Sequence, residues 1–332
     1  MILSRKKRIL KPKRISSRSI KTSTNKKLSK FLSKSSNSKI CIIRSVGGIG
    51  DVLMITPALK ALKNSFPLIH LTVALDRHRT IGDVYFNLIK NAPFIDAFED
   101  ARFIDRNDYD QVIDISAVCI PYERKELPSR NRIDIFLDYL GLVNVKDKLP
   151  FYKVEKEERV KAIEFLKENS IKNSIIGLHT ASNDLKRSWP KERQLELIKF
   201  INLSLPKAKI IIFDQNNLFK EEFSNAIVIN NSSVREMAAL INECDFFIGP
   251  DSGPMHIAGC LGIPSLVIFG AIPPQARINY YTNHTSIVLE GLNCLGCWYQ
   301  SCNIEYKCMK DLTGVNVGNK FLLEYLKSKS RV

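Results

Sequence analysis

The segment from Phe247 to Gly270 constrains the fold more than any other part of the chain. It reads as a buried strand, a sharp turn at Asp251-Ser252-Gly253, a short helix and a second buried strand. The start of that helix offers unpaired N–H groups and the positive end of its dipole, which favour a phosphate group. Gly253 lets a phosphate oxygen approach the backbone, and Ser252 can cap the helix or donate to the ligand. Because ligands of open α/β sheets bind outside the carboxyl ends of the strands, the turn predicts a diphosphate site.

Strand and helix patterns alternate along the chain after residue 39. Such alternation is typical of parallel sheets covered by helices. With 332 residues, the chain is long for a single core. We therefore expect an α/β protein of two Rossmann-like lobes with a cleft between them, one at 40–152 and one at 153–332. An amphipathic helix near 155–169 connects the two.

Basic residues are concentrated in the first 39 positions. The net charge is +16, but residues 1–40 hold 14 Lys and Arg and no Asp or Glu, which leaves 36 basic and 34 acidic residues elsewhere. Such a segment cannot bury enough apolar surface to fold alone, so we expect 1–39 to be a disordered basic tail. A solvated extension, peripheral contact with an anionic membrane surface and a transit peptide remain open. Nucleic-acid binding is disfavoured because aromatic residues are not interleaved with the charges.

A glycine-rich loop follows the first strand and reads Arg44-Ser-Val-Gly47-Gly48-Ile-Gly50-Asp51. Its glycines let the backbone approach a ligand closely. The spacing differs from the dinucleotide fingerprint, which disfavours a nicotinamide cofactor. Asp51 stands at a helix start, where a capping carboxylate would also stand. The residues alone therefore leave capping and general-base catalysis equally open.

A second polar loop, at 179–190, follows the first strand of the C-terminal lobe. It reads His179-Thr180-Ala-Ser182-Asn-Asp-Leu-Lys186-Arg187-Ser-Trp189-Pro190. Hydroxyl groups with one Lys and one Arg at the end of a strand are typical of an anion-binding set. A solvated turn with a buried tryptophan is the structural alternative. For the ribose and adenine of a nucleotide, we consider Asp214 or Gln215, which end the next strand.

These motifs resemble those of glycosyltransferase family 9, the ADP-heptose-dependent glycosyltransferases of bacterial lipopolysaccharide synthesis. The matching segments are Gly50-Asp-Val-Leu-Met-Ile-Thr-Pro57-Ala-Leu, Lys186-Arg-Ser-Trp-Pro and Asp251-Ser-Gly-Pro-Met-His-Ile-Ala, in an order that covers roughly 40–325. The resemblance implies a two-lobed, inverting enzyme of the GT-B type. It also implies that the second lobe binds the nucleotide sugar and the first lobe binds the acceptor.

The resemblance implies a role for each matching residue. Asp51 would be the general base that takes the proton of the acceptor hydroxyl. Gly47, Gly48 and Gly50 would form the backbone loop on the acceptor side. Asp251 would hold hydroxyls of the donor sugar. The residues that would stabilise the leaving diphosphate are Thr180, Ser182, Lys186, Ser252, Gly253 and His256. His256 could instead be a buried helix histidine that bonds within the protein.

Four of the eight cysteines form a cluster at 294–308, spaced Cys294-x2-Cys297-x4-Cys302-x5-Cys308. Four thiolates can close a tetrahedral zinc or iron site, while free thiols are the alternative. Disulfides are disfavoured in a cytoplasmic enzyme. Some members of the resembled family carry an iron-binding finger of four cysteines here. We therefore expect a structural zinc or iron ion and no catalytic cofactor, since four sulfur ligands leave no open position.

Together with these features, the resemblance implies a cytoplasmic, inverting glycosyltransferase that moves heptose from ADP-heptose to a hydroxyl of lipopolysaccharide core, another glycan or a protein. The basic tail would allow peripheral association with the inner face of the cytoplasmic membrane. Another nucleotide-sugar enzyme on the same scaffold, with a different donor or epimerase activity, is the nearer alternative. A nucleic-acid-binding protein that uses the tail and a four-cysteine knuckle is the more distant one, and the nearly neutral body argues against it.

Overall fold

The computed structural model describes residues 37–76, 82–125, 130–182, 184–220, 223–298 and 301–330. The basic tail predicted at 1–39 therefore lies almost entirely outside the described residues. Within the described residues, no helix is both long enough and apolar enough to cross a lipid bilayer.

A four-stranded parallel sheet forms the N-terminal lobe, with the strand order β3-β2-β1-β4. Its strands are β1 (Lys39–Arg44), β2 (His70–Leu75), β3 (Ala97–Asp100) and β4 (Gln111–Asp114). Its helices are α1 (Ile49–Ser65), α2 (Gly82–Ile89), α3 (Ile120–Lys125) and α4 (Arg132–Tyr139), and α5 (Lys156–Glu168) leads to the second lobe.

A six-stranded parallel sheet forms the C-terminal lobe, with the strand order β10-β9-β8-β5-β6-β7. Its strands are β5 (Ile175–His179), β6 (Lys209–Phe213), β7 (Ala226–Ile229), β8 (Phe246–Pro250), β9 (Ser265–Ile268) and β10 (His284–Ile287). Its helices are α6 (Lys191–Ser204), α7 (Val234–Asn242), α8 (Gly253–Cys260), α9 (Gln275–Ile278), α10 (Lys307–Lys310) and α11 (Gly314–Lys329). The predicted α/β fold of two parallel sheets is confirmed, while the domain boundary at 152/153 stays a prediction.

Side chains that alternate along the strands build the core on both faces of each sheet. In β6, Ile211 and Phe213 face a large cluster shared with α7 and α8, whereas Ile210 and Ile212 face a second cluster with α6 and α11. The large cluster continues into the N-terminal lobe through α1. The two lobes are therefore packed against each other along one continuous apolar core, and the helices α1 and α8 meet within it.

Pro57 lies inside α1 without ending the helix. A proline has no N–H, so the carbonyl four residues earlier, that of Leu53, loses its helical partner. The hydroxyl of Thr56 donates to that carbonyl at 2.7 Å, and the Thr56 Oγ1 in turn accepts from the N–H of Phe151 at 2.7 Å. The neighbouring threonine therefore compensates for the proline. The helix α1 continues unbroken from its first turn, which holds Asp51.

Candidate active site

A cavity of about 490 Å³ lies between the two lobes at the carboxyl ends of their central strands. The N-terminal lobe contributes the loop after β1 and the start of α1. The C-terminal lobe contributes the turn after β8 and the loops after β5 and β6. The cavity therefore lies where an open parallel sheet binds its ligands, and two sheets share it.

Two glycines allow the helices α1 and α8 to meet at this cavity. A Cβ atom on Gly50 would lie 2.3 Å from the imidazole ring of His256. A Cβ atom on Gly253 would lie 2.7 Å from the Cβ of Ile49. Because both residues are glycines without a Cβ atom, the first turn of α1 can lie close to the first turn of α8 across the lobe boundary. The positive ends of two helix dipoles therefore face one cavity.

Asp51 lines the cavity from the first turn of α1 and is held by three groups. Its Oδ2 accepts the N–H of Gly48 at 2.7 Å, and its Oδ1 pairs with Arg44 at 3.2 Å and with Arg132. Burial alone would raise the pKa of Asp51, but the guanidinium groups of Arg132 and Arg44 outweigh it and hold the pKa well below its usual range. Asp51 therefore accepts a hydrogen bond at the start of α1 and is also an ionised carboxylate that faces the cavity.

The donor-side turn is arranged around Asp251. Its carboxylate is almost fully buried, and its Oδ2 has no hydrogen-bond partner within the described protein. Arg187 donates to the backbone carbonyl of Asp251 at 2.9 Å and lies 4.8 Å from the ring centroid of Trp298. Ser252 does not cap α8, because its hydroxyl pairs with Nδ1 of His179 at 3.1 Å. The N–H groups at the start of α8 are therefore not occupied by a capping side chain.

Four buried side-chain atoms without a hydrogen-bond partner in the described protein belong to residues that line this cavity. They are Arg44 Nε, Ser182 Oγ, Arg187 Nε and Asp251 Oδ2. A buried polar atom without a partner costs about 1–3 kcal/mol. Since buried polar groups are otherwise almost always bonded, this concentration indicates a cavity shaped for a polar ligand.

A family model described as glycosyltransferase family 9 (heptosyltransferase) matches residues 129–307, which is more than half of the chain. The chain belongs to this family. It is thus a glycosyltransferase, and the resemblance drawn from its motifs is confirmed.

Similar proteins cover most of the chain. Lipopolysaccharide heptosyltransferase 1 of Campylobacter coli is 24% identical over 316 residues, which cover 76% of this chain and 90% of the relative. The crystal structure of a family 9 glycosyl transferase from Veillonella parvula superposes with a TM-score of 0.71 at 18% identity, covering 88% of this chain and 98% of that one. The iron-containing dodecameric glycosyltransferase TibC of enterotoxigenic E. coli superposes with a TM-score of 0.64 at 14% identity, covering 89% of this chain and 80% of that one. TibC has also been solved in complex with ADP-D-β-D-heptose.

The structure brings most of the predicted family residues together. Gly47, Gly48, Gly50 and Asp51 line the cavity from one lobe, and Ser182, Asp251, Ser252, Gly253 and His256 line it from the other. Gln215 also lines it, whereas Asp214 is buried and accepts hydrogen bonds from Thr180 and from the N–H of Phe219. The predicted acceptor loop and the predicted donor turn therefore face the same space.

Two predicted donor-binding residues lie outside the lining of the cavity. The hydroxyl of Thr180 donates to Oδ1 of Asp214 at 3.0 Å inside the C-terminal lobe. The ammonium of Lys186 donates to the backbone carbonyl of Trp298 at 2.8 Å. Arg187, its neighbour, lines the cavity instead. A donor role for Thr180 and Lys186 stays a prediction, and Arg187 is the cation of the loop that lines the cavity.

Sequence reasoning missed four charged residues around the cavity: Arg44, Glu123, Arg132 and Arg277. Arg44 stands at the end of a buried strand, and a buried charge requires a partner. This position was the signal in the sequence that could have identified Arg44. Glu123, Arg132 and Arg277 belong to no motif and lie on the helices α3, α4 and α9, which are remote in sequence from Asp51. Their role follows from the tertiary structure alone.

Burial lowers the pKa of three histidines, His179, His256 and His284, to about 4. His256 lines the cavity, but its Nδ1 bonds the hydroxyl of Tyr281 at 2.8 Å. Its ring also packs against Gly50, as the Cβ geometry shows. Neutral imidazoles provide hydrogen bonds near neutral pH, not positive charge, so the cations of the site are its arginines.

These buried histidines predict a loss of stability on mild acidification. Their pKa values are about 4 in the folded chain against an ordinary value of 6.5, so below pH 6.5 the unfolded chain binds more protons. The melting temperature should therefore fall as the pH is lowered from about 7 to about 5. Replacing His284, which lies outside the cavity lining, with glutamine should make this fall shallower. An unchanged slope in that variant would contradict the assignment.

The predicted metal site on Cys294, Cys297, Cys302 and Cys308 is not supported by the structure. In the described parts of the chain, no group of three or more His, Cys, Asp or Glu side chains is placed to hold a metal ion. Cys302 Sγ accepts the N–H of Tyr306 at 3.2 Å, and Cys308 Sγ is buried against Gly270. Burial raises the pKa of the Cys308 thiol to about 11. The loop instead contacts the site through Trp298, whose ring and carbonyl contact Arg187 and Lys186.

Proposed function

We propose that this glycosyltransferase moves heptose from ADP-heptose to a hydroxyl of an acceptor saccharide of the lipopolysaccharide core, with inversion at the anomeric carbon. The observation that carries the proposal is the sharing of one cavity by Asp51 from the N-terminal lobe and the turn Asp251–Gly253 from the C-terminal lobe. The donor assignment is supported by the heptosyltransferases among the similar proteins, one of which is bound to ADP-D-β-D-heptose.

In the proposed reaction, the acceptor hydroxyl attacks the anomeric carbon in a single displacement. The bond from that carbon to the diphosphate oxygen breaks, its electron pair leaves with ADP, and the hydroxyl proton passes to Asp51. The low pKa of Asp51 keeps the carboxylate ionised at neutral pH. Because the same low pKa makes it a weak base, the proton transfers as the new bond forms and the hydroxyl becomes acidic.

Charge that develops on the leaving diphosphate requires groups that already point towards it. We assign this role to the N–H groups at the start of α8 and to Arg187, whose Nε is buried without a hydrogen-bond partner in the described protein. Oδ2 of Asp251, which has no hydrogen-bond partner in the described protein, would accept a hydroxyl of the donor sugar. These groups come from one lobe, as expected for a lobe that binds the donor.

We also propose that the enzyme works in the cytoplasm, with its basic tail against the inner face of the cytoplasmic membrane. This part of the proposal is supported by the 14 Lys and Arg within residues 1–40. Clusters of basic residues are attracted to anionic lipid headgroups by about 1 kcal/mol for each residue near the surface.

A donor screen followed by a transfer assay tests the proposal. ADP and ADP-heptose should raise the melting temperature, by an amount that corresponds to about 2.7 kcal/mol at a hundredfold excess over Kd, and UDP, GDP and CMP should do so far less. ADP release should then require a lipopolysaccharide core acceptor with a free hydroxyl. Stabilisation by UDP-sugars alone would contradict the donor, and fast conversion of the donor without acceptor would indicate an epimerase or hydrolase.

A further inference from the structure

Glu123 is a buried carboxylate behind the cavity, on the short helix α3. Its side chain is about 1% exposed, and it is not among the described residues that line the cavity. Arg132 binds it with both arms of the guanidinium, at 2.6 Å from Nε and 2.7 Å from Nη2. The remaining nitrogen of the same guanidinium, Nη1, donates to Oδ1 of Asp51. Arg132 therefore joins Glu123 to the proposed base.

Glu123 also contacts the opposite lobe. Nη1 of Arg277, from α9, lies 3.3 Å from Oε1 of Glu123. The Nε of Arg277 lies 3.9 Å from Oδ2 of Asp251, and both side chains are almost fully buried. A chain of alternating charges thus runs from Asp51 through Arg132, Glu123 and Arg277 to Asp251. It crosses the lobe boundary at Glu123.

Glu123 lies between the guanidinium groups of Arg132 and Arg277, which repel each other. Burial lowers the pKa of Arg277, and the charge of Arg132 lowers it further. A buried cation that loses its partner is strongly destabilised. One carboxylate between two arginines allows both to stay charged inside the protein.

We propose that Glu123 is a positioning residue that aligns the two ends of the reaction across the lobes. Through Arg132 it fixes the direction of the Asp51 carboxylate, and through Arg277 it fixes Asp251 on the donor side. The proposal rests on the proposed transfer reaction and adds a residue that touches neither substrate. Without the charge of Glu123, the Arg132 guanidinium would lose the two bonds that fix its orientation, and the Asp51 carboxylate bound to its Nη1 would lose its alignment with the acceptor hydroxyl.

The test compares two substitutions of opposite kind. Glu123→Gln keeps the shape and removes the charge, whereas Glu123→Asp keeps the charge and withdraws it by one methylene. If charge positions Asp51, kcat should fall by about 100-fold in Glu123→Gln, the loss expected for a displacement of about 1 Å. Glu123→Asp should retain several-fold more kcat than Glu123→Gln. A role in packing alone predicts the reverse order, with the isosteric glutamine the more active variant.

Glu158 provides a matched control. It accepts a two-armed bond from Arg235, at 2.7 Å and 2.6 Å, between α5 and α7 and outside the cavity lining. Glu158→Gln removes the same kind of ion pair, so it should lower the melting temperature while leaving kcat within about twofold. Turnover is expressed per ADP-binding site, which corrects for variants that fold incompletely. An equal loss of kcat in Glu158→Gln and Glu123→Gln, or glutamine above aspartate at position 123, would overturn the proposal.

The wild-type protein separates this inference from the function on which it rests. If the wild type binds ADP and transfers no sugar to any acceptor tested, the proposed function has failed and position 123 is not at issue. If the wild type transfers heptose and Glu123→Gln does so at the same kcat, the function stands and the positioning role of Glu123 is wrong.

Discussion

Replacing Asp51 with asparagine should reduce sugar transfer by about 10²- to 10⁴-fold, the range that a positioned general base contributes. Asparagine keeps the size of the side chain and an oxygen for the N–H of Gly48, but it cannot take the acceptor proton. In the proposed reaction ADP binds through groups of the opposite lobe, so ADP affinity should be retained. Single-turnover transfer and calorimetric ADP binding, measured on the same preparation, give the two quantities.

Two controls make the Asp51 result specific. Asp96 is a second aspartate of the N-terminal lobe, and it accepts from Lys63 and from the N–H of Leu71 at 2.7 Å each. Asp96→Asn removes a charge of the same kind away from the cavity, so its turnover should be close to that of the wild type. Asp51→Asn should also melt earlier, because Arg44 and Arg132 lose a partner. Near-normal transfer by folded Asp51→Asn would remove Asp51 from the mechanism.

The fold could be predicted from the sequence because its strands carry strong local signals. The strand, turn, helix and second strand predicted for 247–270 agree with β8, α8 and β9. Three strands at or near sheet edges, β3, β7 and β10, were not predicted. Each has four residues and is at most partly buried along most of its length, and the sequences of β3 and β10 lack a continuous apolar run.

The site was predictable where one short segment carries the geometry. A strand, a turn and a helix fix Asp251, Ser252 and Gly253 relative to one another, whatever the remainder of the chain does. The residues that lower the pKa of Asp51 are not all fixed by a local segment. Arg132 is 81 positions away along the chain, and only the packing of α4 beside α1 brings it to the carboxylate. A short sequence motif cannot predict such a contact.

The cysteine cluster shows what a local spacing pattern leaves open. The spacing supplies four sulfur atoms within 15 residues, but spacing does not fix the direction of the side chains. In the structure the loop packs on Gly270 through Cys308 and on Arg187 through Trp298. These contacts connect the loop to the residues that we propose bind the donor.

Replacing Arg187 with methionine should weaken ADP binding by about 10- to 100-fold, since a hydrogen bond to a charged group contributes about 1.5–3 kcal/mol. Methionine keeps much of the apolar stem that packs beside Trp298 and removes the guanidinium. Adenosine binding should hardly change, because the lost group would face the diphosphate. Lys186→Met is the paired variant, and its smaller loss is expected from the bond between the ammonium and the Trp298 carbonyl. An equal or larger loss for Lys186→Met would mean that the ammonium leaves that carbonyl for the diphosphate, as the family motif implies. Arg187 would then hold the turn at Asp251 and not the ligand.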